Sequence, residues 1–334
     1  MGVYHLMGLG RSVGAVTGPV SYLASRFRRW NPEDQEFFGM SGERLQRETG
    51  EKVGDVQAIL LFTSPEVYAG IDKRFWCYEY VLNQPGHCPP PNADRQRKEP
   101  MRQALRSVLS QEWAPVAKGR NEVKLYWCEV NRTDLLDTFH RAALVLSAVK
   151  STGSLGKEVW INLTGGNNVT NLALQLSASL LQHPSRFYYV QAQNPVAESC
   201  ARYTRENGYW VDLPLLIVAP DQAHRTVLEN VAAFGAPEIN SLFQQLKANT
   251  GSWSLFQHIE NLEAFDQQYV RPLLQGGLLE KEGGRVRTGP RWRVLRPYYQ
   301  ALDAMMNVNQ ESQDLKGLVN RQPWFHQEEL RLQS

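Results

Sequence analysis

The sequence predicts an α/β protein: a Rossmann-like, mostly parallel sheet followed by an α+β winged helix-turn-helix. Three observations carry that prediction. Short apolar runs of the kind a doubly buried strand needs recur at residues 3–7, 56–64, 123–130, 159–163 and 187–192. Stretches with helical spacing lie between them, which implies crossover connections and parallel pairing. Two of the runs end in glycine-rich turns that lead straight into helices, Gly8-Leu-Gly-Arg-Ser-Val-Gly14 and Thr164-Gly-Gly-Asn167.

Taken in order, the run at 3–7 enters the first turn, and helical spacing resumes through Val20, Leu23 and Phe27. Residues 30–55 read as helix plus loop. After the strand at 56–64, Ser64-Pro65-Glu66 opens a helix with proline at a position suited to N1. Residues 84–100, with three successive prolines and Arg95, Arg97 and Lys98, read as an exposed loop of no fixed shape. Thr133 or Asp134 caps a helix whose Leu135, Phe139, Ala142, Leu146 and Val149 share one face. That helix feeds the strand at 159–163. In the helix after it, Leu172, Leu176 and Leu180 recur beside Val169 and Ala173 as the sheet-facing flank, with Asn167 or Asn168 as cap. Further strands follow at 187–192 and 211–218. From His224 the pattern changes to helices near 228–234, 238–246, 254–262 and 266–274, then two short strands around Gly283-Gly284, a helix at 294–305 and a polar tail. The 334 residues therefore divide into domains at 1–222 and 223–334.

Composition narrows the function classes. A hydrophobic fraction of 42%, 21% charged residues and a net charge of +2 fit an ordinary globular protein, so any basic surface must be local. The cysteines Cys77, Cys88, Cys128 and Cys200 show no metal-binding CxxC spacing, which favours a reduced intracellular protein without zinc. No apolar run approaches the roughly 18 residues of a membrane span, and the N-terminus lacks a basic export signal. Leu6 occupies the place where a myristoylation signal wants Ser or Thr. The reading is a cytoplasmic protein with no membrane partner.

In both turns, glycines let backbone N–H groups approach a ligand, and the following helix presents unpaired donors that favour phosphate. The plain alternative is a tight turn with no ligand. Gly10-Arg-Ser-Val-Gly14 also spells the nucleophile elbow of serine hydrolases, but only one strand precedes Ser12. The loose dinucleotide fingerprint of Gly8, Gly10 and Gly14 lacks its acidic residue, because the next strand ends in Thr63-Ser64. Arg321 and His326 form R-x4-H, which resembles the active-site motif of HEPN ribonucleases, although Pro323 interrupts the helix that should carry it. Near the Gly-Gly turn, Arg285, Arg287, Arg291, Arg293 and Arg296 cluster and suit nucleic-acid phosphates; a solvated wing is the alternative.

The pairing of Gly10-Arg-Ser-Val-Gly-Ala-Val-Thr17 after the first strand with Asn162-Leu-Thr-Gly-Gly-Asn-Asn168 resembles the CRISPR-associated Rossmann-fold (CARF) domain family over about residues 1–222. An appended winged helix is common in that family. The resemblance implies a homodimer that binds cyclic oligoadenylate on its two-fold axis through Gly10, Arg11, Ser12, Thr17, Thr164, Gly165, Gly166, Asn167 and Asn168. Cyclic tetra-adenylate is the expected ring, with no cofactor and no metal. Some members cut the ring using a first-turn serine and a second-turn lysine, so Ser12, Asn168 and Arg11 are the candidate catalytic positions. Here Asn168 stands in the lysine position and Val13 replaces the usual proline. The leading expectation is therefore a ligand sensor whose winged helix binds duplex DNA through Arg285, Arg287, Arg291 and Arg293, with Gln268 and Arg271 toward the bases. The alternatives are a metal-independent ring nuclease and a HEPN-like ribonuclease effector.

Overall fold

A computed structural model describes residues 3–39, 56–84, 87–90, 92, 96–117, 119–152, 158–181, 186–213, 220–307 and 314–333. In chain order the main elements are β1 (Val3–Gly8), α1 (Gly14–Arg28), β2 (Val56–Thr63), α2 (Met101–Glu112), β3 (Glu122–Glu129), α3 (Leu135–Lys150), β4 (Glu158–Asn162), α4 (Asn168–Leu181), β5 (Arg186–Ala192) and β6 (Gly208–Leu213). There follow α5 (Gln222–Phe234), α6 (Ile239–Ala248), β7 (Leu279–Glu282), β8 (Arg285–Thr288), α7 (Pro290–Asn307), α8 (Leu315–Arg321) and β9 (Phe325–Arg331).

The chain forms two compact units, Met1–Ile217 with Asn309–Ser334, and Val218–Val308. The expected boundary near 222 lies close to the first division, but the tail assigned to the second domain belongs to the first unit. There β9 pairs antiparallel with β3, from Phe325 opposite Cys128 to Arg331 opposite Glu122. Phe325 and Leu330, five residues apart, are buried on opposite faces of the sheet, and the residues between them are partly or fully exposed. Glu328 is held there by Arg102, Arg106 and the Trp127 indole N–H.

The sheet order is β9-β3-β2-β1-β4-β5-β6, parallel from β3 to β5 with an antiparallel strand at each edge. Period-two alternation splits the buried side chains between two layers. Val3, Met7, Ile59, Leu61, Trp127 and Trp160 lie under α1 and α2 on one face. Leu6, Leu60, Phe62, Tyr126 and Ile161 face α3 and α4 on the other. The strand expected at 211–218 is β6, antiparallel to β5, and residues 214–218 lie outside the described ones, as do most of 30–55.

Two expectations for helices change. On α4 the buried flank is Ala173, Leu174, Ser177 and Ala178, whereas Leu172 is 53% exposed. Small side chains at Ala173, Ser177 and Ala178 let α4 approach its neighbour α3 closely, and Leu172 lies outside that contact. The helix expected over 254–262 is only a short 3₁₀ turn at Ser254–Phe256. Instead, a helical stretch from Leu262 runs through a π turn at Asp266–Val270 to Gln275.

The second unit packs α5, α6 and this stretch around Val227, Leu228, Leu242, Phe243, Phe265 and Leu273. β7 and β8 form an antiparallel hairpin whose Gly283 and Gly284 have φ of 57° and 83°, values that admit glycine readily. Among the described residues, no helix is long and apolar enough to cross a membrane.

Candidate functional site

β1 and β4 are adjacent parallel strands, so both glycine-rich turns leave the same end of the sheet side by side. The two turns interlock. A Cβ on Gly8 would come within 2.8 Å of Asn171 Oδ1 and 2.9 Å of the Gly165 carbonyl oxygen. A Cβ on Gly165 would strike the Gly8 carbonyl oxygen and lie 2.7 Å from Ala15 Cβ. Gly166, at φ 81°, completes the contact. The glycines at 165 and 166 therefore serve turn-on-turn packing, and the open space expected above Gly165 is filled by protein. Gly10 differs, since a Cβ there would meet nothing within 4 Å.

Asn162 joins the turns to α1. Its Nδ2 donates to the Ala15 carbonyl at 3.0 Å, and its Oδ1 accepts from Thr164 N at 2.8 Å. Thr164 Oγ1 accepts from Val190 N at 2.8 Å, tying the second turn to β5. Asn167 caps α4 by accepting from Thr170 N at 2.8 Å, and its Nδ2 donates to the Arg132 carbonyl at 2.9 Å. That bond ties the backbone after β3 to the second turn, while the Arg132 guanidinium carbon lies 5.9 Å from the Phe75 ring centroid. Asn168 opens α4 as an exposed residue. Thr17, expected to face ligand, is fully buried and donates to the Val13 and Ala201 carbonyls.

α1 has no side-chain cap, so amides of its first turn keep their donors for an external acceptor. These amides, at Gly14 and Ala15, border a cleft of about 440 Å³ together with Ser12, Thr164, Tyr78, Tyr189 and Tyr203. Ser12 has no hydrogen-bond partner among the described residues and lies at the cleft wall. Arg11 turns toward the segment after β2: its Nε donates to the Trp76 carbonyl at 2.7 Å, and its guanidinium carbon lies 4.5 Å from the Tyr78 ring centroid.

The cleft wall contains features the sequence did not announce. Glu79 and Glu198 both line it, although neither glycine-rich turn carries a carboxylate. The Tyr203 ring lies on α1 where Gly14 and Gly18 leave room for it; a Cβ on Gly18 would come within 2.5 Å of the ring. Burial, reinforced by Glu198, pushes the Tyr203 phenol up to about 12, so it stays a neutral donor. Cys88 and Cys200 form a disulfide, contrary to the expectation of four reduced cysteines, while Cys77 and Cys128 are free and buried. Their separation of 112 residues leaves no sequence spacing to read. Around it, Val81 N donates to the Ser199 carbonyl at 2.7 Å and Asn83 Nδ2 to the Arg202 carbonyl at 3.0 Å. Part of the loop expected over 84–100 is thus pinned to the cleft wall.

The R-x4-H pair does not form a helical active site. Arg321 ends the seven-residue α8 and His326 lies on β9, bonded through Nε2 to Glu129 at 2.7 Å and stacked on Tyr68. The HEPN alternative falls with this placement. In the second unit Arg287 is held by Glu280 and Glu282, each at 3.0 Å, and Arg271 by Asp266 at 3.0 Å. Arg291 donates to the Gly276 carbonyl at 3.0 Å, while Arg285, Arg293 and Gln268 are exposed. Tyr269, next to Gln268, is buried and bonds His258. Among the described residues, no three His, Cys, Asp or Glu side chains form a group able to hold a metal ion.

No known family profile matches the chain. An uncharacterized protein of Archaeoglobus fulgidus is 28% identical over 205 residues, covering 59% of this chain; the chain spans 59% of the length of that relative. Among solved structures, protein VC1899 from Vibrio cholerae matches 96% of this chain and 69% of its own, at 9% identity and a TM-score of 0.29. Enterococcus italicus Csm6 bound to cyclic hexa-2'-fluoro-hexa-dAMP matches 97% of this chain and 69% of its own, at 10% identity and a TM-score of 0.34. At such scores neither likeness carries an argument, and the α/β assignment rests on the sheet order.

Proposed function

We propose that this chain is a cytoplasmic, CRISPR-associated sensor in which two copies bind one cyclic oligoadenylate, with the tetra-adenylate ring as the expected ligand. The observation that carries the reading is the interlocking of the Gly8–Gly14 and Thr164–Asn168 turns beside the uncapped start of α1. Such a site offers rigid backbone donors to phosphate, and its fixed geometry lowers the ordering cost of binding. Arg11 supplies positive charge beside the first turn. Pairing of two copies is part of this reading, and Leu136 on α3 and Leu172 on α4, 40% and 53% exposed, are apolar side chains available to it. The second unit is read as a winged helix that binds duplex DNA through Arg285, Arg291 and Arg293 as the output. Calorimetric titration with cyclic tri-, tetra- and hexa-adenylate tests the sensor reading. Saturation at one ring per two chains supports it, and no binding of any ring overturns it.

The unpartnered Ser12 hydroxyl favours a second reading, a metal-independent ring nuclease in which the ribose 2′-hydroxyl attacks the adjacent phosphate and leaves a 2′,3′-cyclic end. Product analysis after ring incubation decides between the two. Cleavage that survives EDTA and slows in Ser12→Ala supports the nuclease, whereas an intact ring supports the pure sensor.

A further inference from the structure

The cleft beside α1 joins two features that a phosphate site alone does not explain. Its wall includes the carboxylates Glu79 and Glu198, both on exposed residues, and the tyrosines Tyr78 and Tyr189. A phosphate placed among these carboxylates meets like charges. The wall therefore selects against an anion and for a group that donates hydrogen bonds. Aromatic side chains at the same wall suit a flat, conjugated ligand, and Arg11 over Tyr78 holds that ring at the cleft.

We infer that the cleft takes a purine base carrying an exocyclic amino group, and that Glu79 and Glu198 are its specificity determinants, each accepting one N–H of the amine. This rests on the reading that the chain binds a cyclic oligoadenylate. The ligand then divides by chemistry. Its phosphates lie toward the turn amides and the open side of Gly10, and a base enters the cleft between the carboxylates and the tyrosines. An exocyclic amine is a pure donor at the two hydrogens it presents, which matches carboxylate oxygens as acceptors. A base with a carbonyl in that place would turn lone pairs toward negative charge.

The test compares cyclic tetra-adenylate with the same ring built from purine riboside, which lacks the amino group and adds nothing in its place. Calorimetry is run on the full chain and on Glu79→Ala and Glu198→Ala. Both substitutions fall at exposed positions, and circular dichroism checks that the fold is kept. Wild-type protein should bind the adenylate ring roughly 10- to 100-fold more tightly, the range for hydrogen bonds to a charged group. In each variant that ratio should shrink toward one, even where removing a negative charge raises the affinity for both rings. Equal wild-type affinities overturn the inference and leave the sensor reading standing, as does a ratio unchanged in both variants. Failure of wild-type protein to bind either ring, with tri- and hexa-adenylate also silent, overturns the sensor reading and the inference together.

Discussion

Gly165 rests against Gly8 so closely that any side chain at 165 would collide with the Gly8 carbonyl oxygen and with Ala15. This fixes the second turn on the first, and through Ala15 on the start of α1. Gly165→Ala should therefore act on the fold before it acts on a ligand. Overpacking of this kind costs about 1–3 kcal/mol, a fall in Tm of several degrees, and ring binding should be lost as the turns part. Gly10→Asp offers the contrast, since its Cβ enters open space. There Tm should hold while affinity collapses from charge repulsion. A wild-type Tm in Gly165→Ala would show that the turns do not bear on one another.

His5 is fully buried on the central strand, with Nδ1 2.7 Å from the Tyr188 hydroxyl and Nε2 without a partner. Burial, then the charge of Arg186, holds its imidazole down to about 3, against 6.5 when exposed. Between those values the unfolded chain binds the extra proton, so stability falls as pH drops below 6.5 and is retained above it. The slope approaches 1.4 kcal/mol per pH unit. From pH 6.5 to 5, before carboxylates titrate, denaturant melts should lose about 2 kcal/mol. His5→Phe should flatten that decline; an equal decline in the variant would assign it elsewhere.

The Cys88–Cys200 disulfide closes a long loop and, with the bonds of Val81 and Asn83, ties the segment after Tyr80 to residues 199–202. Loop closure of this length is worth up to about 5 kcal/mol. Reduction should lower Tm and weaken ring binding, and Cys200→Ser should reproduce both in the absence of reductant. Identical melting with and without reductant would mean the thiols are not joined in solution. Because most cytoplasmic thiols are kept reduced, thiol labelling of protein taken directly from cells is the matching control.

Within the second unit the arginines are not equivalent. Arg287 is shared between Glu280 and Glu282, whereas Arg285 and Arg293 are exposed. If the unit binds duplex DNA, Arg285→Ala with Arg293→Ala should weaken all sequences alike. It should also flatten the salt dependence by roughly 0.9 per lost phosphate contact. Arg287→Ala should matter less in the same shift assay. An effect from Arg287→Ala as large as that of the double substitution would show that its pairs with Glu280 and Glu282 do not keep it from the DNA.

Much of the first unit was legible because its signals are local. An apolar run, a glycine pair and a helical repeat identify β1 with α1 and β4 with α4 without knowledge of neighbours. What escaped was decided by distant partners. Thr17 looks like a turn ligand until Ala201, far along the chain, accepts its proton. β9 reads as a polar tail because an edge strand shows only Phe325 and Leu330 to the core, and its pairing with β3 spans some two hundred residues. The leucine repeat on α4 misled because close packing on α3 selects small side chains, leaving Leu172 outside. Glu79 and Glu198 belong to the cleft through tertiary structure alone, and no motif includes them.

On the sensor reading, the two interlocked turns contact the ring. Glycine amides report on it directly, because selective ¹⁵N labelling of glycine observes both turns and the β7–β8 hairpin in one spectrum. On titration with cyclic tetra-adenylate, the signals of Gly10, Gly14, Gly165 and Gly166 should shift and saturate together, while Gly283 and Gly284 serve as the comparison outside the site. Saturable binding that leaves the four turn glycines unmoved would contradict the account.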